Sequence, residues 1–280
     1  MKPGRSLALA PVFAALLLAG CGDNGNEPSE VGFNLPSGLT EASGLAVAGE
    51  DSVFTHDDTH AIIYEVGLND GRVKRAFALG DPTIEGDFEG IAVADGRVFL
   101  ISSDGLIYAA EPGKNGIRVP YKVYDSGVGQ HCEVEGLADS PDPHKLLILC
   151  KRMRIEEAQP KLNIYQWQIG ADRADDAPWM AIPYDQLIEQ RQWAEFGPSS
   201  IEWDAANGHI FVASAHNRLL LVLDRQGRLV KRLNFDQARH PKVEGLAVMP
   251  NGRMALADEG SRARNGRITV FPMPRFDDPK

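Results

Sequence analysis

A short segment recurs five times along the chain, and in each a polar residue precedes a run of small and aliphatic residues. The five segments are Glu41–Ala46, Asp87–Ala92, Glu133–Ala138, Pro198–Glu202 and Lys242–Ala247. Their third positions are Ser43, Glu89, Glu135, Ser200 and Glu244, separated by 46, 46, 65 and 44 residues. A nearly constant period of this size is typical of a repeat architecture. The sequence therefore predicts five structural units, each with one polar side chain at an equivalent point.

Within each repeat the pattern is that of short strands separated by turns. The second repeat reads Ile91–Val93, a turn at Asp95-Gly96, Val98–Ile101, a turn at Asp104-Gly105, Leu106–Ala109 and Val119–Tyr124. Asp-Gly is a strong hairpin turn because both positions tolerate positive φ. Four antiparallel strands in about 45 residues are typical of a propeller blade. We therefore predict an all-β, five-bladed β-propeller with four-stranded antiparallel blades.

Two departures from the period carry further predictions. The third repeat is longer, and apolar residues at helix-like spacing in Tyr184–Phe196 predict one helical insertion between blades. The fifth repeat has only three clear strands. In the other repeats a strand precedes the motif by about ten residues; the segment Val31–Leu35 lies at that distance before Ser43 and has no other partner. We expect it to close the ring as the outer strand of the fifth blade, because closure removes a free sheet edge.

The N-terminus has the pattern of a targeting segment. Lys2 and Arg5 precede an apolar run, Leu7–Leu18, which ends in Leu18-Ala19-Gly20-Cys21. This resembles the lipobox of bacterial lipoproteins, which implies a signal peptide at residues 1–20 and lipidation of Cys21. A plain secretory signal is the alternative. By the same resemblance Gly22 favours the outer membrane. Residues 21–30 read as a tether, and 31–280 as the propeller domain.

The charge balance limits the partners. The formal charge is −10, and removal of a signal peptide that holds Lys2 and Arg5 would take it to −12. Such a balance argues against nucleic acid and anionic lipid as main partners. It suits cation binding, and it equally suits a merely solubilising surface.

Two cysteines remain after Cys21. Cys132 precedes the third motif glutamate, and Cys150 ends the apolar strand Lys145–Leu149. A hairpin folded about Asp142 brings the two nearly opposite each other, which suggests a disulfide in an oxidising compartment. The alternative is a pair of buried free thiols.

The motif residues resemble those of a known family. They are Glu41–Leu45, Phe88–Ile91, Val134–Leu137, Pro198–Ile201, Val243–Leu246 and Ala257–Gly260. The chain is similar to the SdiA-regulated domain family of bacterial propellers, and more distantly to the phytase-like esterase propellers. The first resemblance implies a five-bladed propeller with a calcium-binding polar face. The second implies calcium-assisted phosphoester hydrolysis, although the clustered Lys and Arg of those enzymes are not evident here.

The motif positions predict a ring of polar side chains. At the start of the innermost strands, Glu89, Glu135 and Glu244 should face one another, with Ser43 and Ser200 completing the ring. Crowded carboxylates raise each other's pKa unless a cation joins them, and Ca²⁺ accepts irregular oxygen shells. The alternative is that the glutamates bond backbone amides of adjacent blades. Hairpin geometry brings further candidates to the same face, namely Asp57, Asp258 and Glu259 as metal ligands and Asp104, Lys151 and His216 as ligand-binding residues.

Two functions follow from these residues. The first is a lipid-anchored binding protein on the periplasmic face of the outer membrane, which uses its channel mouth for a cation and a small anionic ligand or a periplasmic protein. The second is a hydrolase in which calcium polarises a phosphoryl or ester oxygen, with Lys151 or His216 contacting the anion. A hydrolase needs cationic groups that converge beside an open metal position.

Overall fold

Each sequence repeat forms one antiparallel sheet. The computed structural model describes residues 30–155, 158–261, 264–273 and 276. The predicted signal peptide, Cys21 and the predicted tether up to residue 29 lie outside the described residues. No helix within the described part of the chain is long and apolar enough to cross a membrane.

The strands are numbered β1 to β21 in chain order. Blade 1 contains β2 (Leu45–Gly49), β3 (Ser52–His56), β4 (Ile62–Gly67) and β5 (Val73–Leu79), extended by β9 (Arg118–Val119), which runs parallel to β5. Blade 2 contains β6 (Phe88–Ala94), β7 (Arg97–Ser102), β8 (Leu106–Ala110) and β10 (Lys122–Asp125). Blade 3 contains β11 (Cys132–Asp139), β12 (Lys145–Met153), β13 (Lys161–Gln168) and β14 (Met180–Pro183).

Blade 4 contains β15 (Ser200–Asp204), β16 (His209–Ser214), β17 (Leu219–Leu223) and β18 (Leu229–Asn234). Blade 5 contains β19 (Val243–Val248), β20 (Arg253–Asp258), β21 (Arg267–Pro272) and β1 (Val31–Asn34). The first strands of neighbouring blades contact one another all round the ring, since β2, β6, β11, β15 and β19 pack in that order and β19 returns to β2. The prediction of a five-bladed propeller is confirmed.

The N-terminal strand closes the ring. Val31–Asn34 pairs antiparallel with Arg267–Val270 and forms the outer strand of blade 5. This confirms the closure predicted from the missing fourth strand of the last repeat. The two ends of the domain thereby share one sheet, so that opening of the ring requires this pairing to break.

The core is divided among the blade interfaces. Five clusters of buried apolar side chains each join two adjacent blades. Trp167, for example, is fully buried between blades 2 and 3, where its ring packs against Phe99 and Tyr124. The alternation of the inner strands supplies side chains to both sides of each sheet.

The glycine that follows the motif polar residue permits close approach of the inner strands. A Cβ atom on Gly90 would lie 2.5 Å from the backbone nitrogen of Leu137 in the next blade. A Cβ atom on Gly245 would lie 2.9 Å from Cγ of Leu45, which is also in the next blade around the ring. Glycine is therefore required where the strands converge near the axis.

The insertion between blades 3 and 4 contains two short 3₁₀ helices. These are Tyr184–Gln186 and Gln190–Glu195, with a turn between them. A continuous helix over 184–196, which the apolar spacing suggested, does not form. Tyr184, Leu187 and Phe196 are instead buried in the cluster between blades 3 and 4, and one straight helix would not bring all of them there. A third 3₁₀ helix, Val128–Gln130, precedes β11.

Cys132 and Cys150 form a disulfide in this structure, with their Cα atoms 5.7 Å apart. They are not directly opposite in the hairpin, because Cys132 faces Met153 and Cys150 faces Val134. Irregularities in the register on both sides of Val134 bring the two sulfurs together across β11 and β12.

Candidate ligand-binding site

All five blades contribute to one polar cavity of about 950 Å³, which we call the ring-face cavity. Its lining includes Glu41, Ser43, Asp58, Glu89, Glu135, Lys151, Arg152, Glu195, Ser199, His216, Arg218, Lys242, Glu244 and Glu259. Seven of these side chains are carboxylates, against four lysines and arginines. The cavity is therefore acidic, although it contains charges of both signs.

The repeat explains why the three motif glutamates meet. Glu89, Glu135 and Glu244 lie at equivalent points near the start of β6, β11 and β19. Because the inner strands run side by side around the axis, equivalent points lie at the same height. All three carboxylates line the cavity, which is the arrangement that the spacing predicted.

Glu135 is the most enclosed of the three. Its side chain is 6% exposed, and its Oε1 lies 2.6 Å from Nζ of Lys151. Its Oε2 is buried and has no hydrogen-bond partner among the described residues. Burial raises the pKa of Glu135 to about 7, although the ammonium group of Lys151 opposes the rise. One oxygen of this buried carboxyl group thus lacks the hydrogen bond that buried polar atoms ordinarily make, as far as the described residues show.

Glu89 has no hydrogen bond or ion pair within the described part of the chain. Burial and the nearby negative charges of Glu135 and Asp87 raise its pKa to about 8, while Lys151 partly opposes the rise. A rise in pKa of this size in a residue that lines a cavity is typical of functional sites, where like charges lie close together.

Glu244 lies on the opposite side of the ring, beside a second lysine. Nζ of Lys242 is 3.6 Å from Oε1 of Glu244 and also pairs with Glu259. Burial raises the pKa of Glu244 to about 7, and Lys242 opposes the rise. Two ammonium groups therefore already lie among the carboxylates of this cavity.

The same face carries a close pair of acids in blade 1. The charge of Asp58 and a hydrogen bond with it raise the pKa of Glu41, and Glu259 adds to the rise. Negative charge is thus concentrated on blades 5, 1 and 2, whereas Arg152 and Arg218 lie on blades 3 and 4.

Four other candidates from the sequence lie in the cavity and four do not. Ser43, Lys151, His216 and Glu259 line it. Asp57, Asp104, Ser200 and Asp258 are not part of its lining. His216 is the exposed partner of Glu195, with Nε2 and Oε2 3.5 Å apart.

The residues outside the lining have local structural contacts. Oδ1 of Asp57 accepts hydrogen bonds from the backbone amides of Thr59 and His60, at 3.1 and 2.7 Å. Asp258 is buried and its Oδ2 lies 2.8 Å from Nδ1 of His240. Asp104 accepts a hydrogen bond from the hydroxyl group of Ser102.

Ser200, the polar residue of the fourth motif, differs from its expected placement. Ser200 is buried within β15, opposite Ala213, and its neighbour Ser199 lines the cavity instead. Ser199 donates its hydroxyl proton to the carbonyl oxygen of Val243 at 2.7 Å, and so bonds blade 4 to blade 5.

Glu41 and Lys242 line the cavity but were not among the site residues predicted from the sequence. Each is the first residue of its motif, two positions before the third. Residues two apart on an extended chain share a face, and this signal could have placed both beside the third-position residue.

The predicted calcium site has the right donor type, but the arrangement lacks a complete ligand set. Among the described residues, no group of three or more His, Cys, Asp or Glu side chains is placed to hold a metal ion. Calcium takes about six to eight oxygen ligands, and here Lys151 and Lys242 occupy positions between the carboxylates. As arranged, these residues do not fit a calcium ion, and the metal stays a prediction.

Fold and cavity together define a five-bladed β-propeller with an acidic, axially placed cavity. The chain belongs to the SdiA-regulated family, whose model matches residues 37–259. This match confirms the resemblance drawn from the motif residues.

Two solved structures are similar to this chain at low sequence identity. The glutaminyl cyclase of Myxococcus xanthus matches with a TM-score of 0.56 and 15% identity, over 89% of this chain and 96% of that chain. A chain of a nidogen/laminin complex matches with a TM-score of 0.45 and 15% identity, over 78% of this chain and 72% of that chain. At this identity the cyclase shows the fold alone. A search of curated proteins found no match.

Proposed function

We propose that the chain is a lipid-anchored binding protein of the cell envelope, whose ring-face cavity takes up a small ligand through a positively charged group. The anchor rests on the lipobox-like sequence that ends at Cys21. The periplasmic face of the outer membrane is the location that this sequence favours. The binding function rests on the cavity itself.

The observation that carries the proposal is Oε2 of Glu135, which is buried and has no hydrogen-bond partner among the described residues. A buried carboxylate oxygen without a partner costs about 1–3 kcal/mol or more, and a cationic donor in the cavity would remove that cost. Glu89, which also lacks a partner in the described structure, faces the same cavity. A cation that joined them would lower both pKa values and stabilise the ionised forms.

An amine fits these residues better than a metal ion. Lys151 and Lys242 show that an ammonium group is accommodated between these carboxylates. An ammonium group needs only two or three acceptor oxygens, whereas calcium needs more than the open carboxylates supply. We therefore expect a primary amine or polyamine to be preferred over calcium.

The hydrolase alternative gains no support from the placement of its candidate residues. Lys151 is engaged by Glu135 and Glu133, and His216 by Glu195. Both side chains therefore already have carboxylate partners in this structure.

Calorimetric titration tests the proposal. The chain from residue 22 onward, its Glu135→Gln variant and a Glu50→Gln control would each be titrated with spermidine and with calcium chloride. Glu50 lies in an exposed turn outside the cavity, so its variant removes the same charge elsewhere.

We expect spermidine to bind the parent chain and the Glu50→Gln variant equally, and the Glu135→Gln variant about tenfold more weakly. Calcium binding without spermidine binding would contradict the preference for an amine and return the site to the predicted metal. Binding of neither would contradict the proposed function.

A further inference from the structure

A second cavity of about 580 Å³ lies beside the ring-face cavity, between blade 3 and the insertion. We call it the side cavity. Its lining includes Glu133, Lys151, Arg152, Arg154, Tyr184, Trp193 and Phe196. Lys151 and Arg152 line both cavities and so form part of the wall between them.

Two arginines line the side cavity and have no acidic partner among the described residues. Neither Arg152 nor Arg154 forms an ion pair with any described residue. Nε of Arg154 donates to the carbonyl oxygen of Gly129 at 2.5 Å, which fixes its position but leaves its charge unbalanced. Glu133, an acid in the lining, lies 3.7 Å from Nζ of Lys151. The described residues that line this cavity therefore carry a net positive charge.

Aromatic residues of the insertion add two further donors. The side chain of Tyr184 is buried, and its hydroxyl group makes no hydrogen bond within the described structure. Nε1 of Trp193 is buried and likewise lacks a partner among the described residues. The ring of Phe196 packs edge-on against Tyr184, with centroids 4.8 Å apart, and completes an apolar wall.

These groups share one chemical character. Guanidinium and indole groups donate hydrogen bonds and do not accept them, and a phenol is free to donate. Arginine pairs with planar or tetrahedral oxyanions through two parallel hydrogen bonds. An aromatic wall favours a flat apolar body. The complementary occupant has an acceptor-rich negative end and a ring.

We propose that the side cavity binds a small organic oxyanion, a carboxylate or phosphate group carried on an aromatic ring. Arg152 and Arg154 hold the oxyanion, Tyr184 and Trp193 donate to it, and the insertion covers the ring. The site is distinct from the acidic cavity and does not depend on the cationic ligand proposed there.

The indole signals of the protein provide a direct test. Nitrogen-15 labelled protein would be titrated with phenyl phosphate and with phenylacetate, and benzylamine would serve as the cationic control. A Trp193→Phe variant assigns the Trp193 indole signal among those of the four tryptophans. The two anions distinguish a phosphate from a carboxylate ligand.

We expect one of the anions to shift the Trp193 signal at millimolar concentration, and benzylamine to leave it unchanged. Arg152→Gln should weaken the anion about tenfold, because a charged hydrogen-bond partner is lost. Arg72→Gln, which changes a side chain that is 85% exposed in blade 1, should have no effect.

Glu135→Gln is a control for the neighbouring cavity and should leave the anion affinity unchanged or increased. The proposal is overturned if neither anion shifts the Trp193 signal. It is also overturned if the Arg152→Gln variant has the same affinity for the anion as the Arg72→Gln control. Either result leaves the proposal of spermidine binding in the ring-face cavity untouched, because that proposal is tested by a separate titration.

Discussion

Nζ of Lys151 lies 2.6 Å from Oε1 of Glu135, at the point where the third blade reaches the axial cavity. The pair places an ammonium group beside the carboxylates of the cavity, and the second oxygen of Glu135 has no hydrogen-bond partner in the described part of the chain. The charges of the described residues therefore only partly neutralise the cavity, whose volume of about 950 Å³ is large enough for a small molecule.

Removal of the Lys151 ammonium group should lower the free energy of unfolding, because it leaves the buried carboxylate of Glu135 without its cationic partner. Lys151→Met is expected to lower the free energy of unfolding by about 1–2 kcal/mol at pH 8, less than for a fully buried pair because the Lys151 side chain is 35% exposed. The loss should be smaller at pH 5, where Glu135 is protonated. Urea unfolding at both pH values measures it. Equal losses at the two pH values, or an equal loss in the exposed control Lys231→Met, would refute this explanation.

The raised pKa of Glu89 predicts a pH-dependent stability. Below pH 4.5 Glu89 is protonated in both the folded and unfolded states, and between pH 4.5 and about 8 only the unfolded state releases its proton. The free energy of unfolding contributed by this group therefore falls as pH rises through that window. In Glu89→Gln this fall should disappear, so that the variant is the more stable protein at pH 8. Urea unfolding of both proteins from pH 5 to pH 8 measures this. If the free energy of unfolding falls with pH as steeply in Glu89→Gln as in the parent, the prediction is wrong.

The motif glycines should be intolerant of a methyl group. Gly90→Ala is expected to lower the free energy of unfolding by about 2 kcal/mol or more, because the new Cβ would lie 2.5 Å from the backbone nitrogen of Leu137. Gly38→Ala is the matched control, since nothing lies within 4 Å of that position. Thermal melting compares the two. A Gly90→Ala protein as stable as the control would mean that the inner strands do not approach as described.

The blade architecture followed from local signals. Asp95-Gly96 and Asp104-Gly105 fix hairpins by φ preference alone, and β1 was predictable because Val31–Leu35 had no other strand to pair with. The site was less predictable, since the direction of a polar side chain at a strand end depends on the following turn. Asp57 bonds the backbone amides of its own turn, although the sequence pattern suggested a place on the shared face.

The disulfide should stabilise the fold because it closes the loop of chain between its two cysteines, which restricts the unfolded state. Cys132 and Cys150 are 18 residues apart, and closing a loop of this size stabilises a fold by about 3 kcal/mol. The double variant Cys132→Ala, Cys150→Ala should melt at lower temperature than the parent. Treatment of the parent with a reducing agent should lower its melting temperature similarly and leave the double variant unchanged. A parent protein that is insensitive to reduction would show that the bond is not formed in solution.

The most direct test of the account measures thermal stability with a cationic ligand present. The chain from residue 22 onward would be melted with and without spermidine, beside a ring variant that carries Glu89→Gln, Glu135→Gln and Glu244→Gln. A control with Glu50→Gln, Glu85→Gln and Glu111→Gln removes equal charge from exposed positions outside the cavity. We predict a spermidine-dependent rise in melting temperature for the parent and the control, and none for the ring variant. No rise in the parent, or an equal rise in all three, would contradict a cation-binding site at the ring face.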